Sequence, residues 1–292
     1  GYFDEKGWLF FTKIRFDLFY PSYGDTYPMY NGSIGMTYEQ GGISGGLGVI
    51  NEDGDTLTLV DRAQHHFVTS MSTIEAASKN AGKLISEFKK YFSTALTNGI
   101  GEYKSYVIKY DAVNAQRFDK LRELMDRNGI QYSSGNGTAR GFNYFNGKEE
   151  AFNIGEGDML ISSFQPRSAM VKVLFEPRSK LNDSVTYDIT AWSLPYVYGL
   201  KAFASRDKIV AGGPLNSVKA VNKETSYGYV MPWNGVRSAK AAGQLLQQGV
   251  LLRYAETTCE WNGNKFERGS IIILRTSNEE KEKNLWPLVR SI

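Results

Sequence analysis

The chain has little of what most enzymes use for metal binding or nucleophilic attack: in 292 residues there is one cysteine, Cys259, and two histidines, His65 and His66. A single thiol excludes an internal disulfide and any multi-cysteine metal site, and it leaves the redox compartment open because cysteine-poor chains occur on both sides of a membrane. The two histidines are adjacent in a helical pattern, so they point about 100° apart and do not face one metal; they read as structural. No stretch approaches the roughly 18 apolar residues that cross a bilayer as a helix. Charge of one sign is missing too. The 34 basic and 31 acidic residues give a net charge of +3 with no long run of either, so electrostatics offers no reason to expect nucleic acid. The first residues, Gly1-Tyr2-Phe3-Asp4, form neither a basic nor an apolar leader, and a start on Gly rather than Met reads as part of something longer.

Apolar residues, in contrast, make up 41% and charged residues 22%, enough for a chain of this length to form two or three packed cores. Aromatic rings are plentiful, and Tyr20, Tyr23, Tyr27, Tyr30 and Tyr38 crowd one early segment, as suits strands and pocket walls. From Phe10 to Tyr20 the pattern predicts a strand running into a loop, with a turn-rich stretch at Tyr20–Asp25. A second strand is expected at Ile34–Glu39, ending in Gln40-Gly41-Gly42. Glu39 then sits at a strand end, where open α/β sheets place their working residues. After the Asp53-Gly54 turn, apolar positions at Phe67, Met71, Ile74, Ala77, Ala81, Leu84, Phe88 and Phe92 predict one long helix from about Asp61 to Leu96 with a buried stripe, bent at Gly82.

Beyond residue 100 the chain contains a diverged repeat. One copy starts at Tyr106-Val107-Ile108 and the other at Tyr229-Val230-Met231. Each continues into an amphipathic helix stopped by a glycine, Gly129 or Gly249, then an Asn-Gly turn, Asn146-Gly147 or Asn262-Gly263. Each then has Phe152 or Phe266, followed by a glycine-led strand, Gly157–Ile161 or Gly269–Ile273. The segment Tyr187–Pro195 reads as an ordered connector. The expectation is an α/β chain in three parts: 1–100, 101–206 and 207–292, the last two being halves of an accessory region with a mixed sheet.

Three runs in order, Phe16-Asp17-Leu18-Phe19-Tyr20-Pro21-Ser22-Tyr23-Gly24-Asp25, then Gly35-Met36-Thr37-Tyr38-Glu39-Gln40-Gly41-Gly42, then Asp61-Arg62-Ala63-Gln64-His65-His66, resemble the end of the catalytic domain of zinc metallocarboxypeptidases of the carboxypeptidase A type. The likeness is greatest to bacterial members with additional C-terminal domains. The resemblance implies that residues 1–100 complete a carboxypeptidase-like mixed-sheet domain and that Glu39 is the general base serving a zinc-bound water. It also implies that Tyr20, or Tyr23, closes over the C-terminal end of a peptide substrate. An exported or periplasmic location follows from the resemblance only.

The sequence departs from the family at the metal. The family binds zinc through a His-x-x-Glu pair and a later His upstream of the glutamate, and no histidine precedes Glu39 here. The parent protein is therefore expected to hold zinc on residues outside this chain, and the chain alone to bind no metal and to be inactive. The rival expectation is a non-catalytic module that binds a peptide or cell-wall ligand, with Trp233 and the Asp188–Trp192 connector as candidate groove residues. The glycines from Gly41 to Gly48 lack the Gly-Lys-Ser/Thr of a phosphate loop, and Cys259 reads as a small apolar filler in a strand.

Overall fold

The computed structural model describes residues 1–12, 21–42, 46–179, 193–215, 223–225, 227–279 and 284–290. The chain is mixed α/β, and every strand pair among the described residues is antiparallel, where a mixed sheet was expected.

The first hundred residues hold the short helices α1 (Tyr2–Lys6) and α2 (Thr26–Met29), a two-residue ladder of β1 (Val49–Ile50) with β2 (Thr56–Leu57), and the long helices α3 (Leu59–Lys79) and α4 (Ala81–Asn98). α3 opens on a capping box: Thr58 Oγ1 accepts from the Asp61 N–H at 3.3 Å while the Asp61 carboxylate accepts from the Thr58 N–H at 2.9 Å. The single helix expected from Asp61 to Leu96 is two helices, and the break falls at Asn80, not at Gly82. Asn80 leaves helical geometry (φ −109°, ψ 18°), and its side-chain Nδ2 joins its N–H on the Ala76 carbonyl, so the side chain caps the end of α3.

The expected buried stripe is not buried. Phe67 is 66% exposed and Ile74 63%, and Met71 and Phe88 are at least half exposed. The expected strand at Ile34–Glu39 is also absent: this stretch pairs with no strand among the described residues, and without a ladder partner an extended segment does not become a strand. The expected strand before Tyr20 falls largely on residues outside those described, as does the connector up to Trp192.

The first repeat copy contains β3 (Ser105–Ile108), α5 (Ala115–Arg127), β4 (Gly137–Asn143), β5 (Glu149–Ile154) and β6 (Met159–Ser162), followed by α6 (Ser168–Phe175), α7 (Leu194–Tyr198) and β7 (Ala202–Ser205). The sheet runs β5-β4-β7-β3-β6. β3 is internal, and all four of its residues are buried because alternate side chains enter two cores. Tyr106 and Ile108 join Leu121, Met125, Ile161 and Phe175 beneath the helices, while Val107 joins Leu160 and Phe203 under Phe152 and Ile154 of the β4–β5 hairpin.

The second copy repeats the order with β8 (Gly228–Met231), α8 (Val236–Gln247), β9 (Arg253–Tyr254), β10 (Cys259–Trp261), β11 (Asn264–Phe266) and β12 (Ile271–Leu274), then α9 (Thr276–Glu279) and α10 (Leu285–Arg290). The registers coincide: Tyr106 faces Ile161 in β3–β6, and Tyr229 faces Ile273 in β8–β12. Both helices stop in the same way. Gly129 and Gly249 are left-handed, at φ 62° and 72°, and the next residue's N–H reaches back to Met125 or Leu245 at 3.0 Å in each case.

A buried amide repeats as well. Gln165 bonds both main-chain groups of Gln131, the second residue after Gly129, and the carbonyl of Ser162 at the end of β6. Asn278 does the same for Leu251 and for Leu274 at the end of β12. The two copies meet through Asn234, whose carbonyl accepts from Arg117 Nη2 at 2.7 Å and whose side chain donates to the Val113 carbonyl.

Candidate functional site

The three runs that carry the resemblance are tied together in space by side chains. Gly35 lies against the Asp25 carbonyl so closely that a Cβ there would stand 1.7 Å from that oxygen, so no other residue fits without moving the backbone. Thr37 Oγ1 then donates to the Asp25 carboxylate, which fixes the Thr37-Tyr38-Glu39 segment to the turn after Tyr23. On the other side, Gln40 Oε1 meets His65 Nδ1 at 2.7 Å, and the Tyr38 hydroxyl lies 2.7 Å from Thr73 Oγ1, so both neighbours of Glu39 are anchored on α3.

Gly42 completes the seam. A Cβ at Gly42 would stand 2.6 Å from Arg62 Nη1, and the buried Arg62 donates through Nη2 to the Leu47 carbonyl at 2.9 Å. Asp61, one residue before it, has its carboxyl held below the ordinary range by the Thr58 hydroxyl and then the Thr58 N–H. The start of α3 is thus a rigid, polar support for the Glu39 segment.

Glu39 itself is exposed, and its carboxylate has no hydrogen bond or ion pair among the described residues. Tyr23 lies in the turn before α2, with its ring partly exposed and its carbonyl accepting from the Tyr27 N–H at 3.0 Å. Tyr20 lies outside the described residues.

Among the described residues the side chains do not fit a zinc ion. Among the described residues no group of three or more His, Cys, Asp or Glu side chains could hold a metal. His65 has its Nδ1 on Gln40 and its ring against Trp8, with centroids 4.3 Å apart, and Phe3 at 5.7 Å, while His66 is exposed on the next position of the helix.

The sequence reading singled out Glu39 but not Gly35, Asp25, Gly42, Gln40 or Arg62, which hold its segment in place. The signal lay inside the quoted runs: two glycines placed beside an Asp and an Arg report close approach, a property that only coordinates turn into contacts. Elsewhere, Trp233 is half exposed and Cys259 is half-buried in β10. Among the described residues no helix is long and apolar enough to cross a membrane. Compared with family models, curated proteins and solved structures, the chain matches none.

Proposed function

We propose that the chain is part of a zinc-dependent carboxypeptidase, an exported or periplasmic hydrolase of C-terminal peptide bonds, in which Glu39 is the general base. Its carboxylate takes a proton from the attacking water and returns it to the leaving amine. Residues 1–100 then belong to the catalytic domain, with Tyr20 or Tyr23 covering the substrate's C-terminal end, and the two repeated units are accessory. The metal ligands lie outside these 292 residues, so the chain alone is inactive.

The observation that supports this reading is the placement of Glu39: an exposed, unpaired carboxylate between two side chains pinned to α3, on a segment joined to both other runs that carry the resemblance. A residue kept only for surface charge needs no such anchoring, whereas a general base needs its carboxylate free and its backbone fixed.

The test compares this chain with a polypeptide extended toward the N-terminus, measuring bound zinc and release of a C-terminal amino acid. The expected result is that only the extended form binds zinc and turns over, and that Glu39→Gln in it lowers kcat by about 10²-fold or more while the metal content is unchanged. An extended form without zinc, or one in which Glu39→Gln keeps full activity, overturns the reading.

A further inference from the structure

The two repeat copies differ at one strand edge, and among the described residues the difference leaves one position of β8 open. In the first copy β3 has β6 on one side and β7 on the other. The Lys109 N–H donates to the Lys201 carbonyl at 2.8 Å, and by the alternation of an antiparallel ladder Val107 exchanges its main-chain bonds with Phe203. The Phe203 ring stacks on Phe152, with centroids 4.1 Å apart at 8°, and seals Val107 and Leu160 from water.

In the second copy β8 has β12 on one side and, among the described residues, no strand on the other. The Arg275 N–H donates to the Tyr227 carbonyl at 2.9 Å, so Tyr229 and Met231 face β12 while Gly228 and Val230 turn their main-chain groups outward. Gly228 is plugged: its N–H donates to Thr225 Oγ1 at 3.2 Å, and its carbonyl accepts from the same hydroxyl at 2.8 Å. Pro232 has no N–H, and its carbonyl accepts from Ser238 Oγ at 2.8 Å. That leaves Val230 with both main-chain groups unpaired among the described residues. Its side chain and that of Ile272 are half-buried where Val107 and Leu160 are fully buried. Plugged ends limit edge pairing. Here they leave one position and so fix one register.

We propose that this edge of β8 is a peptide-binding site, which takes an extended segment antiparallel to β8 with an aromatic residue, flanked by small ones, opposite Val230. That is the chemistry of Ala202-Phe203-Ala204-Ser205 at the matching place in the first copy. The aromatic ring covers Val230 and Ile272, and the two main-chain bonds of Val230 set direction and register. A second β8 does not serve: in a two-fold pair centred on Val230, each plugged Gly228 faces a Pro232 that has no N–H to give. The proposal rests on the repeat alone and is independent of any role for Glu39.

The probe is a fluorescein-labelled octapeptide, Gly-Leu-Lys-Ala-Phe-Ala-Ser-Arg, titrated into the full chain by anisotropy, with amide NMR shifts read in parallel. Saturable binding is expected, with shifts centred on Val230 and Ile272. A peptide N-methylated at its phenylalanine, and one with Ala in place of that phenylalanine, are each expected to bind at least tenfold more weakly. Val230→Pro removes the N–H from the protein side and is expected to abolish binding; because that variant risks misfolding, the N-methylated peptide removes the other bond of the pair, from the phenylalanine N–H to the Val230 carbonyl, with the protein untouched. Absence of saturation up to about 1 mM, equal binding of the N-methylated peptide, or shifts centred on Val107 of the first copy would each overturn the proposal.

Discussion

The two repeat copies share strand registers, helix stops and a buried amide, yet the first is a sealed five-stranded sheet and the second a half-open three-stranded one. The same positions lie at different depths because of what surrounds them, not because of what they are. Val107 and Val230 are the same residue in the same place; one has Phe203 of β7 beside it and Phe152 of a long hairpin above it, and the other has no such neighbour among the described residues. The hairpin accounts for part of this: β4 and β5 span seven and six residues, β10 and β11 three each. A local sequence pattern therefore sets the element and its register, while burial is set by the length of the neighbouring segments.

The largest effect that would sharpen this contrast is in the core. Leu160→Ala removes a side chain that is 1% exposed and is expected to cost about 2–5 kcal/mol, whereas Ile272→Ala at the matching, half-buried position is expected to cost about 1–2 kcal/mol. Urea unfolding of both variants checks this, and equal losses would break the comparison. Next come the amides. Gln165→Ala removes the three hydrogen bonds that its buried amide makes to main-chain groups of Gln131 and Ser162 and is expected to cost about 2–3 kcal/mol, and Asn278→Ala a similar amount, because here the two copies are alike. Protection of the Gln131 and Leu251 amides from hydrogen exchange reports each one locally.

The smallest effect concerns a tyrosine. Tyr106 is buried, and its hydroxyl has no partner among the described residues, so Tyr106→Phe is expected to leave stability unchanged or raise it by up to about 1 kcal/mol. The same burial pushes the Tyr106 phenol well above its ordinary range, with Glu176 adding to it, and Tyr132 is pushed up to about 12 by burial and by its hydrogen bond to Asp126. The unfolded chain loses these protons near pH 10 while the folded chain keeps them. Stability is therefore full below about pH 10 and falls as pH rises from there through the folded-state values. Urea midpoints measured from pH 9 to 12 are expected to decline, and Tyr106→Phe to decline less steeply.

Much of the repeat was legible in the sequence because its signals are local: a glycine after a helix, an Asn-Gly turn, a glycine before a strand. The antiparallel sheet order was not, since it depends on which distant strand inserts beside β3. The helix break at Asn80 was misplaced at Gly82 because a side-chain amide that bonds four residues back leaves no periodic trace. The stripe of Phe67, Met71 and Ile74 has a helical period, but period alone does not state whether anything lies opposite. At the candidate site the resemblance pointed to Glu39, while the anchors Gln40–His65, Thr37–Asp25 and Gly42–Arg62 join residues 12 to 25 apart and needed coordinates.

The buried amide also bears on how such a unit tolerates change. Gln165 and Asn278 each fasten the end of the last strand to the residue that follows the helix stop, spanning 34 and 27 positions of chain with one side chain. The tip of the hairpin between those two fastened points can lengthen or shrink without shifting either. Insertions and deletions in this protein are therefore best borne at the hairpin tips near Asn146-Gly147 and Asn262-Gly263, and worst borne in the few residues on either side of the amide.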